Sequence, residues 1–274
     1  MLNTPLRPLQ PIQLMLKILK YSFYDLMRSR WSYVYFLFYL ALGFVLLFLN
    51  NDLSKAVITL MNVIIVLVPL IGTIFGVMYF YNSKEFTELL LAQPLKRSTI
   101  FLGQYFGVAG SLTLSLVLGL GIPFVLYGLF RSEAIFNFVL LLVTGAFLTL
   151  IFTALAFNIA ISNENRIKGF GYAVLLWLFL AVIYDGLFLL SLIIFEEYPL
   201  DTFSLAATMF NPIDLSRTLI LLKLDISALL GYTGAVFKKF FGTNLGFLVS
   251  LLVLALWTIL PIWRLAFKAK RKDF

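Results

Sequence analysis

The chain contains no cysteine and no histidine. Without cysteine there is no disulfide framework and no thiolate for metal or redox chemistry. Without histidine the commonest general base and metal ligand is also missing. No G-x-x-x-x-G-K-[ST] sequence occurs, so this chain does not cradle nucleotide phosphates, and any ATP is bound by a partner subunit. Charge is scarce too: Asp, Glu, Lys and Arg make up 12% of the 274 residues, against about 25% in a soluble domain.

What fills the space is apolar. Hydrophobic residues make up 62% of the chain, which rules out a water-soluble globule. The 21 basic and 13 acidic residues leave a net charge of +8. Such an excess raises nucleic acid as a partner, but the basic residues stand at the edges of long uncharged runs, the pattern of a membrane protein. The opening MLNTPLRPLQP is broken by proline and the first apolar run is span-sized, so the spans themselves are expected to direct insertion.

A hydrocarbon core of roughly 30 Å takes about 20 apolar residues of helix. Six runs qualify, at about 31-49, 56-81, 100-130, 134-162, 169-195 and 243-263, and the fifth is interrupted only by Asp185. The third and fourth exceed a straight span and are expected to tilt, bend near Pro123 or begin in the interface. The fold class is therefore an all-α membrane protein of one domain, 1-274. It has six transmembrane helices, an N-terminal interfacial helix over 11-30 and an external helical segment over 196-239.

Orientation follows from the basic residues flanking the spans. Lys55, Arg131, Arg217, Lys223, Lys238 and Lys239 fall on one side and the other 15 of the 21 on the opposite side. Both termini are expected in the cytoplasm. Before the first span, Ile12, Met15, Leu16, Leu19, Phe23, Leu26 and Met27 share an arc of about 120° at helical spacing. They suit either an anchor in the cytoplasmic interface or a connector to a cytosolic partner.

The first inward loop, 82-97, carries Phe86, Leu89, Leu90 and Gln93 at helical spacing, with Pro94 as a breaker and Arg97 closing a basic pair. It reads as a short amphipathic helix, either shaping the bend between spans or acting as a lever that couples an ATPase to them. Gly72-x-x-x-Gly76 and Gly103-x-x-x-Gly107 allow close helix approach, within a chain or between two copies. Asp185 is the one ionisable residue inside a run. Its carboxylate costs at least about 2.5 kcal/mol unpaired at a helix centre, so it needs a partner; no second acid, lysine or histidine continues a proton relay.

In the outer segment Asn211 can cap a helix, Pro212 suits its first position, Asp214 faces the helix dipole, and Gly231 can end it. Leu215, Leu219, Leu222, Ile226 and Leu229 line one face of that helix. It is expected to lie against the membrane or a partner. Asn211, Pro212, Asp214, Arg217 and Leu222 are its candidate contacts to a periplasmic protein.

Leu89-Leu-Leu-x-x-Pro94-x-x-Arg97, Ile100-x-Leu-Gly103, Trp177 ahead of Tyr184-Asp185, and Asn211-Pro-x-Asp214-x-x-Arg217 occur in this order. With these pieces the chain, from about residue 15 to 266, resembles the NosY family, the permease subunit of the type-2 ABC exporter class that serves nitrous-oxide reductase maturation. At Lys84-Glu85-Phe86-Thr87 it departs from the Gly-Thr pair of many type-2 permeases. The resemblance implies a non-catalytic permease in the bacterial inner membrane. It further implies a homodimer carrying two cytosolic ABC ATPase subunits and a periplasmic copper-handling partner.

Soft Cu(I) favours thiolate and thioether ligands, and the two methionines inside runs, Met61 and Met78, stand too far apart along one helix to share a site unless subunits combine. They read as core filler. The residues thus favour transmission of ATP-driven motion over copper conduction. The alternatives are an exporter of a lipid, sulfur species or hydrophobic compound, and a secondary transporter, which needs more intramembrane charge than Asp185 supplies. An intramembrane hydrolase lacks both an acid pair and a base for a nucleophile.

The charge count makes the orientation testable. A cysteine at Thr202 should react with a membrane-impermeant maleimide in intact cells, and one at Thr99 should not. Labelling at Thr99 overturns the orientation.

Overall fold

The structure is a computed structural model and describes residues 11–50, 53–195, 200–223, 237, 239–240 and 243–271. Its described residues contain helices and turns but no strand, and the chain is an all-α membrane protein. The first helix, α1 (Pro11–Met27), precedes α2 (Arg30–Leu49) and α3 (Leu53–Asn82). The short α4 (Lys84–Leu91) leads into α5 (Arg97–Leu126) and α6 (Ile135–Ala160). Next come α7 (Arg166–Leu178) and α8 (Tyr184–Ile194), joined through a π turn at Phe179–Ile183 into one rod. α9 (Asp201–Phe210), α10 (Pro212–Lys223) and α11 (Asn244–Arg271) complete the described elements. Six of these are long and apolar enough to cross a membrane: α2, α3, α5, α6, the α7–α8 rod and α11.

Burial divides them. α3, α5 and α6 form the centre, where Phe80 stacks on Phe101 at 5.7 Å and meets Phe157 edge-on at 5.8 Å. The apolar window of α6 is 61% buried, whereas that of the α7–α8 rod is only 11% buried, so the rod is peripheral and its free faces meet lipid or other chains.

Lipid tails are as apolar as leucine side chains, so helix association here depends on close packing and not on escape from water. Small residues supply that closeness. A Cβ on Gly76 would stand 2.8 Å from the Ala156 Cβ, which fixes α3 on α6. One on Gly107 would stand 2.6 Å from the Ser22 Cβ and 2.8 Å from the Leu19 carbonyl, which fixes α1 on α5. Gly103 meets Ile18 in the same seam. Both spaced glycine pairs thus serve packing within one chain.

Four expectations change. α1 packs lengthwise on α5 with Ile18, Ser22 and Leu26 buried, while Ile12 and Leu16 of the expected apolar arc are exposed. The backbone approach at Gly103 and Gly107 selects the small Ser22 for the contact, which turns the helix away from its most apolar arc. The expected interfacial helix also ends earlier, at Met27, and Ser29 begins α2 by accepting a bond from the Ser32 amide at 3.3 Å. The third span stops at Leu126, three residues past Pro123, and Gly128 at φ 93° turns the chain. Largest of all, the segment placed on the outer surface folds inward: Asn211, Leu215, Ser216, Leu219 and Ile220 are buried, and α10 packs against α3, α6 and α11. Ile226, Leu229 and Gly231 lie outside the described residues.

The glycine seams predict opposite signs for two substitutions. Gly107→Val should force α1 off α5 and lower stability by about 1–3 kcal/mol. Gly121→Ala, which meets nothing within 4 Å, should raise it by about 0.5–1 kcal/mol. Thermal melting of the purified protein in detergent checks both.

Candidate functional site

Two places gather the polar side chains singled out by sequence. The first is a platform on the face where the basic loops collect. α4 follows α3 after Ser83 alone, so the two helices cannot move independently over any distance. Thr87, on its inner side, donates to the Ser83 carbonyl at 2.8 Å and accepts from Gln104 Nε2 of α5 at 2.8 Å. Both side chains are buried, and a polar pair shut off from water holds α4 to α5 more firmly than an exposed one could. Phe86 is half-buried and stacks on Tyr21 of α1 at 4.4 Å.

The outer side of α4 carries Glu85, Glu88 and Leu89, and Leu89 is 69% exposed. Lys84 pairs with Glu88 at 3.7 Å on the surface, a contact of small energetic weight. Leu90 is half-buried and Pro94 exposed. Arg97 opens α5 beside a hollow of about 370 Å³ shared with Glu88, Leu91 and Ala92. Of the coupling residues read from the sequence, therefore, Leu89 is the apolar one offered outward. Next to α4, Lys17, Lys20, Tyr24 and Asp25 of α1, with Arg28 just beyond its end, line a shallow groove of about 480 Å³.

The second place is a charge cluster at mid-length of the spans, where α10 meets the peripheral α7–α8 rod. Arg217 Nη1 donates to Asp185 Oδ2 at 2.6 Å and stands 3.5 Å from Asp214 Oδ1. Asn211 Nδ2 donates to Asp214 Oδ2 at 2.7 Å and to the Leu180 carbonyl at 2.8 Å. Its Oδ1 accepts the Ile213 amide at 3.1 Å, the expected cap of α10, with Pro212 and Asp214 in the first turn. Leu180 lies in the π turn and is the middle residue of the span Arg166–Ile194. On the other flank Trp257, midway along α11, donates from its ring nitrogen to the Met209 carbonyl at 3.1 Å.

Both anchors put the α9–α10 bend at mid-depth. The ten residues of α9 rise about 15 Å, half of a core of roughly 30 Å. The pair is a re-entrant hairpin. Such backbone is tolerated at membrane depth when it is buried in protein, and here the bend's polar groups are met by Leu180, Trp257 and Tyr184, whose hydroxyl donates to the Ala207 carbonyl at 2.7 Å.

The structure thus joins two sets that the sequence reading kept apart. Asp185 and the Asn211–Arg217 motif form one cluster, and Asn211, Pro212, Asp214 and Leu222 are buried where an outward contact surface had been expected. Met61 is in the core and Met78 packs against it, too far from the cluster in sequence terms to have suggested it and filling space as read. Four contributors were missed: Thr87, Gln104, Tyr21 and Tyr184. Gln104 was findable, as the one glutamine inside an apolar run.

No protein-family model matches the chain, and no curated protein matches it.

Removing the cation should strand two carboxylates. Arg217→Leu is expected to cost on the order of 2 kcal/mol, below the ~3–5 kcal/mol of a fully buried pair because each partner keeps about a third of its surface. Adding Asp185→Leu should recover part of that loss, whereas Asp185→Asn alone should be mild. A double-mutant cycle on thermal melting measures the coupling, and a cycle that closes at zero would show the bridge to be idle.

Proposed function

We propose that the chain is the permease subunit of a type-2 ABC transporter, working as a dimer with an ATPase on its basic, cytoplasmic face. The observation that carries this reading is the α4 platform. A short surface helix sits between two spans, is pinned to α5 by the buried Gln104–Thr87 bond and to α1 by the Phe86–Tyr21 stack, and offers an isolated exposed leucine outward. A push on such a helix is delivered to α3 across Ser83 alone and to α5 through the buried Gln104–Thr87 bond. The absence of a phosphate-binding loop in this chain assigns ATP to the partner.

The finer reading, copper-site maturation of nitrous-oxide reductase through a periplasmic copper-handling protein, has the support of the motif order that resembles the NosY family. In that reading the buried hairpin transmits motion and does not grip. Tyr184, Asp185 and Leu180 tie it to the α7–α8 rod, and Trp257 ties it to α11. The exposed start of α9, at Asp201, Thr202 and Phe203, is then the described surface that meets the partner. The sparsely covered α7–α8 rod is the face for a second copy. Export of a lipid or other hydrophobic compound is the competing reading, and an apolar cavity beside the hairpin favours it.

Leu89→Asp tests the carrying observation without touching the fold, since the side chain is exposed. It should weaken copurification of the ATPase at least about 10-fold, in the range of an interface anchor, with melting unchanged. Copper loading of the reductase should fall in parallel. Undiminished ATPase binding removes the platform's role. Lost binding with unchanged copper loading separates the permease from copper maturation.

A further inference from the structure

Between α6, α9 and α11 lies a cavity of about 550 Å³, within the range of ligand sites. Its walls are apolar: Leu155 on α6, Ala206 and Met209 on α9, Val253 and Trp257 on α11. At one end stands Arg264. The distance from Trp257, at mid-depth, to Arg264 along α11 is about 10 Å at helical rise, most of the ~15 Å half-thickness of the core, and Val253 lies one turn past mid-depth. Because Trp257 bonds to the bend of the hairpin at mid-depth, the cavity runs from the middle of the bundle to its basic face. Most of its length therefore lies in a single leaflet.

The basic end carries more than one group. Lys268, one turn beyond Arg264, donates to the Asn158 carbonyl at 3.2 Å and to Ser162 Oγ at 2.5 Å, which leaves one ammonium hydrogen free. Neither Arg264 nor Lys268 forms an ion pair with an acid among the described residues. Asn158, in the wall between them and the apolar part, is buried, and its amide nitrogen donates to the Ala154 and Pro261 carbonyls at 2.8 and 2.7 Å. Since both of those partners are acceptors, the nitrogen is fixed in place. The amide oxygen is left as a buried acceptor with no partner. An unmet acceptor of this kind costs about 1–3 kcal/mol.

We propose that this cavity is a binding site for one membrane amphiphile of the basic-side leaflet. Its chain lies against Leu155, Val253 and Trp257 beneath the hairpin bend, and its anionic headgroup meets Arg264 and Lys268. Phosphatidylglycerol has both features, an acyl chain and a net negative charge, whereas phosphatidylcholine has no net charge. The site stands whether or not the amphiphile is transported, because it rests on the cavity and its charges alone.

The test uses the full chain in nanodiscs containing phosphatidylglycerol or phosphatidylcholine with a photoactivatable acyl chain, and maps labelled peptides by mass spectrometry. Peptides of α9 and α11 should be labelled about five-fold or more in favour of phosphatidylglycerol, the gain from one cation near a lipid phosphate. Arg264→Gln should lower that preference, and adding Lys268→Gln should abolish it. Ala206→Trp, which fills the cavity from an exposed position, should remove labelling by both lipids from these peptides while labelling of the lipid-facing side of α2 stays constant. Equal labelling by the two lipids in the unsubstituted protein overturns the proposal. So does labelling that survives Ala206→Trp, or a disulfide between two copies through Ala206→Cys, which would show that a second chain covers the opening.

Discussion

A carboxylate in the middle of an apolar span has to be neutralised from within the protein, and much of this architecture answers to that requirement. Asp185 sits two residues beyond the π turn of the α7–α8 rod. The six apolar runs contain no cation that could meet it, so the cation comes from between runs. Arg217 reaches it because the chain after the fifth span turns back into the bundle, and the resulting 2.6 Å contact ties that segment to the rod. The arginine itself would be costly at this depth if it stood alone. Each charge therefore makes the other's position tolerable, and the hairpin is held by the pair as much as the pair is by the hairpin.

The rest of the cluster follows from satisfying the backbone at the bend. A chain that reverses at mid-depth exposes amides and carbonyls where no water can meet them. Asn211 meets several at once, accepting the Ile213 amide, donating to Leu180 in the π turn and donating to Asp214. A π turn gives up the regular register of its helix, and such turns recur where a helix is asked to do something besides span. Here its carbonyl serves a neighbouring element. Asp214 then has one oxygen on Asn211 and the other in charge contact with Arg217 at 3.5 Å, so the two carboxylates share one guanidinium unequally.

The spans, the amphipathic loop helix and the cap at Asn211 were legible because each rests on local chemistry: hydropathy over about 20 residues, apolar spacing, and an Asn-Pro-x-Asp start. The depth of α10 was not. An apolar stripe of Leu215, Leu219 and Leu222 reads the same on a helix lying at the outer surface as on one buried inside. A basic residue between spans is counted by the charge rule as if it faced water. The clue was the need of Asp185 for a partner, which the residues stated but could not locate among six candidate cations on that side. The face of α1 was misread for a different reason: periodicity ranks side chains by hydrophobicity, whereas helices in lipid choose their contacts by how closely backbones approach. Ser22 lies in the seam on that account, and Leu16 does not.

These constraints divide the molecule mechanically. α3, α5 and α6 are joined by glycine seams and buried aromatic rings, an arrangement that moves as a block because close-packed interiors transmit displacement and do not absorb it. The α4 platform is attached to that block directly through Thr87 and Gln104. The α7–α8 rod and α11 are more loosely covered, and the hairpin touches both while resting against α3 and α6 through α10. A displacement that begins at α4 thus reaches the hairpin from the rigid side, and its bend is coupled to the rod by an ion pair and hydrogen bonds. Polar links of this kind exchange partners more readily than interlocked glycine seams come apart. The boundary between the block and the rod, marked by Asp185 and Arg217, is accordingly where motion of this fold has to concentrate.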